Sequence, residues 1–220
     1  MGLIKFKILF LLLFASSVVA IVDSEAEKLA EREFLDAKGV DAVEVDKMID
    51  SYSNLDYQTI YSYIRSIYKK VSDDDAKAIS NSLVAYGKQY DLDPKLAAAL
   101  MARESSFNKE AVSVTGARGL GQIKDFNYDH LNIEDPHDIN QNVSGTINYL
   151  KMLIQKWKGN DEDVSMGLAS YFRGYTNVKN DQKKTGSLND KTQGYVDDIL
   201  DYYDRLKAIR ERLDSDKAAP

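Results

Sequence analysis

The sequence contains no cysteine and only two histidines among its 220 residues. Without cysteine the chain can form no disulfide, carry no lipid on an N-terminal cysteine and build no thiolate zinc site. His130 and His137 lie on either side of a predicted interruption of the helices at Asp135-Pro136, and no His-x-x-x-His spacing occurs. We therefore expect no metal site and no cofactor.

Basic residues do not outnumber acidic ones. Lys and Arg total 29, Asp and Glu total 35, and the formal net charge is −6. A nucleic-acid-binding protein usually carries a basic patch, so no nucleic-acid partner is expected. There is no internal repeat or low-complexity segment, and the length suits one medium-sized domain with an extension.

No apolar run reaches the length of a membrane-spanning helix. The longest, residues 8–22, spans 15 residues and includes two serines, whereas a spanning helix needs roughly 20 apolar residues. It follows Lys5 and Lys7 and leads into small residues ending at Ala20, which is typical of a secretory signal peptide. We predict cleavage after Ala20 and a periplasmic or extracellular location. The alternative is an uncleaved anchor.

Apolar residues recur at helical spacing along most of the chain, so we predict an all-α fold with at most a small β-hairpin within residues 108–121. The predicted helices cover residues 24–38, 41–51, 57–71, 72–90, 93–104, 139–157, 164–171 and 195–213. Polar residues 175–191 are typical of a mobile loop.

The predicted organisation has four parts. Residues 1–20 form the signal peptide, 21–71 an N-terminal helical extension, 72–213 the main domain and 214–220 a disordered tail. The tyrosine-rich helix that begins at Tyr57 is expected to pack its apolar face against the main domain.

One carboxylate stands out by its position. Asp93 and Pro94 are a helix-start signal, and Ala97, Met101 and Glu104 then lie on one face of the helix. Burial and the negative helix end should both raise the pKa of Glu104. A carboxyl group that stays protonated near neutral pH suits a general acid. The alternative is an ordinary solvated glutamate.

Residues 104–122 read ESSFNKEAVSVTGARGLGQ. They resemble, without a gap, the motif E-S-x-F-N-x-x-A-x-S-x-x-G-A-x-G-L-M-Q of the soluble lytic transglycosylase family. Later matches are Asn142, Gly145 and Tyr149-Leu150, then Ala169, Tyr171 and Gly174, then Tyr195-Val196. The resemblance covers about residues 75–206.

The resemblance implies a lysozyme-like fold of the goose type and a peptidoglycan lytic transglycosylase. Such an enzyme cleaves the MurNAc-β-1,4-GlcNAc bond and leaves a 1,6-anhydro-MurNAc end. It implies that Glu104 alone acts as acid and base, with help from the N-acetyl group of the substrate. Peptidoglycan glycan strands at the cell wall are the implied partner, and no protein partner is implied.

The resemblance also implies the substrate-binding residues, which are Ser113, Gln122, Tyr171, Phe172 and Tyr195. Four positions depart from the family: Gly121 and Lys124 replace Met, Phe172 replaces Asn and Arg173 replaces Ala. Neighbouring helical side chains cannot share a face. We expect Phe172 to point into the groove and Arg173 to point toward the helix end or a nearby acid.

These departures leave two alternatives open. The chain could be a weakly active or inactive peptidoglycan-binding scaffold on the same fold, or a hydrolysing lysozyme, which differs only in that water attacks in place of the sugar's 6-hydroxyl. Glycosidases usually need a second carboxylate. Nothing in their spacing selects that second group among its candidates, which are Asp125, Asp129, Asp135 and Asp138.

Overall fold

The computed structural model describes residues 54–218, with side chains to residue 216. In this part the chain forms eight α-helices, one short 3-10 turn and no strand, so the predicted all-α fold is confirmed. The helices are α1 (Leu55–Ile67), α2 (Asp73–Tyr90), α3 (Pro94–Ser105), α4 (Tyr128–Leu131), α5 (Ile139–Gln155), α6 (Asp163–Arg173), α7 (Tyr175–Thr185) and α8 (Asp190–Ala218). The predicted signal peptide and the helices predicted over 24–38 and 41–51 lie outside the described residues.

Side-chain caps begin the helices that hold the domain together. Ser72 accepts a hydrogen bond from the backbone N–H of Asp75 at 3.1 Å and starts α2. Asp93 accepts one from Lys95 at 2.9 Å and starts α3, with Pro94 as its first residue. These caps satisfy backbone donors that have no partner inside the helix.

Helix α3 lies in the core of the domain. Ala97, Ala98, Ala99 and Leu100 are fully buried, and the helix packs against α1, α2 and α5. Small alanine side chains let the neighbouring helices approach closely. Because α3 is enclosed in this way, the residues of its last turn are held firmly in place.

The helix expected over residues 57–71 is α1, which ends at Ile67. Ile60, Tyr63 and Ile64 are buried in the same hydrophobic cluster as Leu100. α1 therefore belongs to the compact unit formed by residues 55–215. The boundary between an extension and the main domain at residue 71 stays a prediction.

A polar contact joins α8 to the start of α3. The Tyr203 hydroxyl donates to Asp93 at 2.7 Å, and the Lys95 ammonium lies 3.0 Å from the same carboxylate. Burial alone would raise the pKa of Asp93, but these hydrogen bonds outweigh it and hold that pKa below its usual value.

One prediction near the C-terminus was wrong. Residues 175–191, expected as a mobile loop, contain α7, in which Val178 is fully buried and Asp181 pairs with Arg173 at 3.0 Å. One buried residue is too weak a pattern to reveal a helix from sequence. Helix α8 continues to Ala218, and the disordered tail over residues 214–220 stays a prediction.

The segment between α3 and the 3-10 turn (Asp125–Asn127) has no regular structure apart from two isolated antiparallel bridges. Arg118 bridges to Val112 on one side and to Ile123 on the other. This arrangement brings the glycine-rich part of the segment back toward the body of the domain.

Candidate active site

Glu104 lies in the last turn of α3 and is half-buried. The helix stops there because Ser106 adopts a left-handed conformation, with φ 54° and ψ 38°, and Phe107 follows with φ 58°. Phe107 is buried and packs edge-on against Tyr68, with ring centroids 5.0 Å apart. This anchor fixes the helix end that carries Glu104.

Tyr195, from α8, donates a hydrogen bond to the Glu104 carboxylate. Burial raises the pKa of Glu104, and the hydrogen bond from Tyr195 and the nearby charge of Arg103 reduce that increase without cancelling it. The direction and the main cause are those expected from the sequence. A carboxyl group in this state holds its proton to higher pH than an ordinary glutamate does.

Tyr171 approaches the same carboxylate from the end of α6. Its hydroxyl donates to the backbone carbonyl of Gly121 at 2.7 Å. Burial raises its pKa well above the usual value, and the charge of Glu104 raises it further. The ring packs against Tyr149, with centroids 5.3 Å apart, and Tyr149 meets His130 edge-on at 6.5 Å. An aromatic row therefore leads away from Glu104 on this side.

A second aromatic row leads away through Tyr195. Phe172 stacks on Tyr195 with centroids 4.5 Å apart and an interplanar angle of 17°, and 39% of Phe172 is exposed. Arg173 turns the other way and pairs with Asp181 on α7. Consecutive residues at the end of α6 thus contact different parts of the domain. Tyr171 and Phe172 lie beside the Glu104 region, and Arg173 forms an ion pair that joins α6 to α7.

The glycine-rich loop is held by Asn142 of α5, which is buried. Its Oδ1 accepts from the Gly121 N–H at 2.8 Å, and its Nδ2 donates to the carbonyls of Pro136 at 2.8 Å and Arg118 at 3.2 Å. A Cβ on Gly119 would lie 2.1 Å from the Pro136 carbonyl oxygen. The loop can approach this closely only because it has no side chain there.

Gly121 departs from the family motif, and Thr146 explains why glycine is needed. A Cβ at Gly121 would lie 1.9 Å from the Thr146 hydroxyl oxygen, which is fully buried on α5. A methionine could not occupy this backbone position unless Thr146 moved. The change therefore fits its own surroundings and keeps the carbonyl of Gly121 available to Tyr171.

Gln122 follows with a left-handed backbone, at φ 52°. Its side-chain NH₂ group donates to the carbonyls of Ala111 at 3.1 Å and Gly119 at 3.0 Å. Both partners are acceptors, so the amide orientation is set by the surrounding loop. The side-chain oxygen Oε1 of Gln122 accepts no hydrogen bond from the described residues and can accept one from a ligand.

Ser113 is not brought to Glu104 by any described contact. Its hydroxyl accepts from the backbone N–H of Ala117 at 3.0 Å and of Thr115 at 3.3 Å, so it closes the turn before the glycine-rich loop. Three of the aspartates considered as a second carboxylate also serve local turns and caps, namely Asp125, Asp135 and Asp138. None of the four perturbs the pKa of Glu104 within the described residues.

Sequence reasoning missed Asn142, Thr146, Tyr149 and Arg103 as neighbours of the site. Asn142 and Tyr149 belong to the later matches with the family pattern, so a signal for them existed. No sequence signal existed for Thr146, because its side chain matters by occupying the space next to Gly121, which lies 25 positions earlier in the chain.

Comparison with known proteins gives consistent matches. The family model of the transglycosylase SLT domain matches residues 81–193. Membrane-bound lytic murein transglycosylase F from Pectobacterium atrosepticum is 33% identical over 125 residues, which cover 56% of this chain and 25% of that protein. The chain thus spans about a quarter of the length of that curated relative.

Two solved structures share the fold. One is the 70 kDa soluble lytic transglycosylase from Escherichia coli, with TM-score 0.54, 16% identity and coverage of 86% of this chain and 31% of that one. The other is an inactive mutant, glutamate to glutamine, of the lytic transglycosylase Slt from Pseudomonas aeruginosa, with TM-score 0.53, 21% identity and coverage of 86% and 36%. At these identities the likeness shows the fold alone. Because the family model covers just over half of its residues, the chain belongs to the transglycosylase SLT domain family.

Proposed function

We propose that this chain is a peptidoglycan lytic transglycosylase that cleaves the MurNAc-β-1,4-GlcNAc bond with Glu104 as proton donor. The observation that carries the proposal is the environment of Glu104, namely its burial, its raised pKa and its hydrogen bond, in a chain of this family. It is half-buried, its pKa is raised, and its carboxylate accepts a hydrogen bond from Tyr195.

The proposed reaction has two proton transfers at one carboxyl group. Protonated Glu104 gives its proton to the glycosidic oxygen as the bond to the MurNAc C1 breaks, while the N-acetyl carbonyl of the same sugar stabilises the positive charge at C1. The Glu104 carboxylate then takes the proton of the sugar's 6-hydroxyl as that oxygen bonds to C1. No water is consumed, and the product carries a 1,6-anhydro ring.

No carboxylate among residues 54–216 alters the pKa of Glu104, and this supports the proposed mechanism over one in which a second acid lies against Glu104. A raised pKa favours the first proton transfer, and restored ionisation after it favours the second. Tyr195 orients the carboxyl group in both steps, because its hydroxyl can donate to the carbonyl oxygen of the protonated acid and to the carboxylate alike.

Binding roles follow from the groups that remain available. We propose that the side-chain oxygen of Gln122 accepts a hydrogen bond from the N–H of a sugar acetamido group, because the side-chain NH₂ group already donates to the loop. The aromatic rows through Tyr171 and Phe172 supply flat apolar surfaces on the two sides of Glu104. Ser113 serves this site through the turn that it closes.

We also propose that the chain works at the cell wall after export. The relative from Pectobacterium atrosepticum is named a membrane-bound lytic murein transglycosylase. Within residues 54–218, every helix falls short of the apolar length needed to span a bilayer. Cell fractionation with N-terminal sequencing tests this part, and a mature protein that begins at residue 21 in the exported fraction is the expected result.

The experiment that tests the activity compares the wild type with Glu104→Gln on purified peptidoglycan. We expect the wild type to release soluble fragments and the variant to release them about 10²–10⁴ times more slowly, which is the typical cost of a lost general acid. Binding of the variant to peptidoglycan should persist. If neither protein releases fragments while both bind, the scaffold alternative is correct.

A further inference from the structure

The exposed edge of the Phe172–Tyr195 stack carries a cation whose purpose the proposed reaction does not explain. Lys191, one helical turn before Tyr195 on α8, places its ammonium nitrogen 5.6 Å from the centroid of the Phe172 ring. Lys191 is exposed. The aromatic pair and the ammonium group together form a surface that is flat and apolar at one end and positive at the other.

Lys191 differs from the other cations around the stack. Arg103 lies 5.5 Å from the Tyr195 ring centroid but pairs with Asp198 at 2.8 Å, and Arg173 pairs with Asp181. Lys191 has no carboxylate partner among residues 54–216, in a chain whose acidic residues outnumber its basic ones. Its positive charge is therefore available to a ligand.

The position of Lys191 on the helix increases the positive potential around it. Lys191 is the second residue of α8, where the backbone N–H groups already make the helix end positive. A cation gains nothing from the helix dipole at this end, so helix stability does not account for it. An anion close to Lys191 would be attracted by both, against the single negative charge of Asp190, the first residue of α8.

We infer that Phe172 and Lys191 form a subsite for a carboxylate-bearing substituent of the glycan, and that this substituent is the peptide stem of peptidoglycan. The inference rests on the proposed function, since it places the substrate beside Glu104. Phe172 contacts the sugar ring or the apolar part of the stem, and Lys191 pairs with a stem carboxylate. Glycan from which an amidase has removed the stems keeps one lactyl carboxylate on each MurNAc, and it lacks such a partner only after that group has been converted to an amide.

The test measures kcat/KM on peptidoglycan with stems and on glycan from which an amidase has removed them and whose exposed lactyl carboxylates have been amidated, and takes the ratio of the two. Replacing Lys191 by Gln should lower this ratio about two- to fivefold, the range for one solvent-exposed ion pair. Lys191→Glu should lower it further, and Lys191→Arg should restore it. Raising the salt concentration should lower the wild-type ratio toward that of Lys191→Gln.

Lys183→Gln is the matched control, because it removes an exposed lysine of α7 without touching the stack. Its ratio should equal that of the wild type. An unchanged ratio in Lys191→Glu, or an equal loss on both substrates, would overturn the inference.

Binding measured in the Glu104→Gln background separates this inference from the proposed function. Sedimentation with stem-bearing and stem-free glycan needs no bond cleavage. If the wild type cleaves nothing, the proposed function fails, and a loss of stem preference on Lys191→Glu in the binding assay still supports the subsite. Equal binding of both glycans before and after the change refutes it.

Discussion

The clamp formed by Asn142 allows a quantitative prediction. Replacing it with alanine removes three good hydrogen bonds to backbone groups, those of Gly121, Pro136 and Arg118. The asparagine is 1% exposed, so these groups lose their partners inside the domain. A buried polar group left unpaired costs about 1–3 kcal/mol. At about 1 kcal/mol each, the variant should lose about 3 kcal/mol of unfolding free energy.

Thermal unfolding followed by circular dichroism measures this loss. For a domain of this size about 3 kcal/mol corresponds to a fall in melting temperature of roughly 6–12 °C. Activity should fall as well, because the loop carries Gln122 and the carbonyl that accepts from Tyr171. Asn148→Ala, on the same helix, is the control and should change neither quantity by much. A melting temperature for Asn142→Ala within about 2 °C of the wild type would refute the clamp.

Three further predictions concern titrating groups. Tyr195→Phe removes a hydrogen bond that lowers the pKa of Glu104, so that pKa should rise and the alkaline limb of the pH–rate profile should move to higher pH; a limb that moves to lower pH would contradict this. Because the folded pKa of Glu104 lies above its ordinary 4.5, ionisation destabilises the fold as pH rises through that range. Glu104→Gln should therefore melt at a higher temperature than the wild type at pH 7, with the gain lost well below pH 4.5, and a gain independent of pH would count against the buried carboxylate. Asp93 has the opposite sign: its lowered pKa stabilises the fold above its ordinary 3.8, so Asp93→Asn, which keeps the helix cap, should melt lower at pH 7 and approach the wild type as pH falls below 3.8.

Much of the fold could be read from the sequence because its signals are local. The caps at Ser72 and Asp93 and the apolar spacing along α3 and α5 each depend on residues within one or two turns. The α7 helix was missed because its stability comes from elsewhere. It is polar along its length and is held by one buried valine and by a contact with Arg173.

The candidate site divides in the same way. Glu104 could be singled out because it lies at the end of an apolar stripe and opens the motif at residues 104–122 that resembles the family. The pairing of Phe172 with Tyr195 could not, because it joins residues 23 positions apart on two helices. The need for glycine at position 121 depends on Thr146 in the same way. Contacts between distant segments are decided by packing, which a single sequence does not display.

The most direct test of the central claim is mass spectrometry of the fragments that the wild type releases from purified peptidoglycan. If Glu104 returns as the base for the 6-hydroxyl, the fragments should end in 1,6-anhydro-MurNAc and weigh one water less than hydrolysis products. The same digestion in ¹⁸O-labelled water should leave them unlabelled. Reducing ends that carry the label would show that water attacks and would contradict the proposed mechanism.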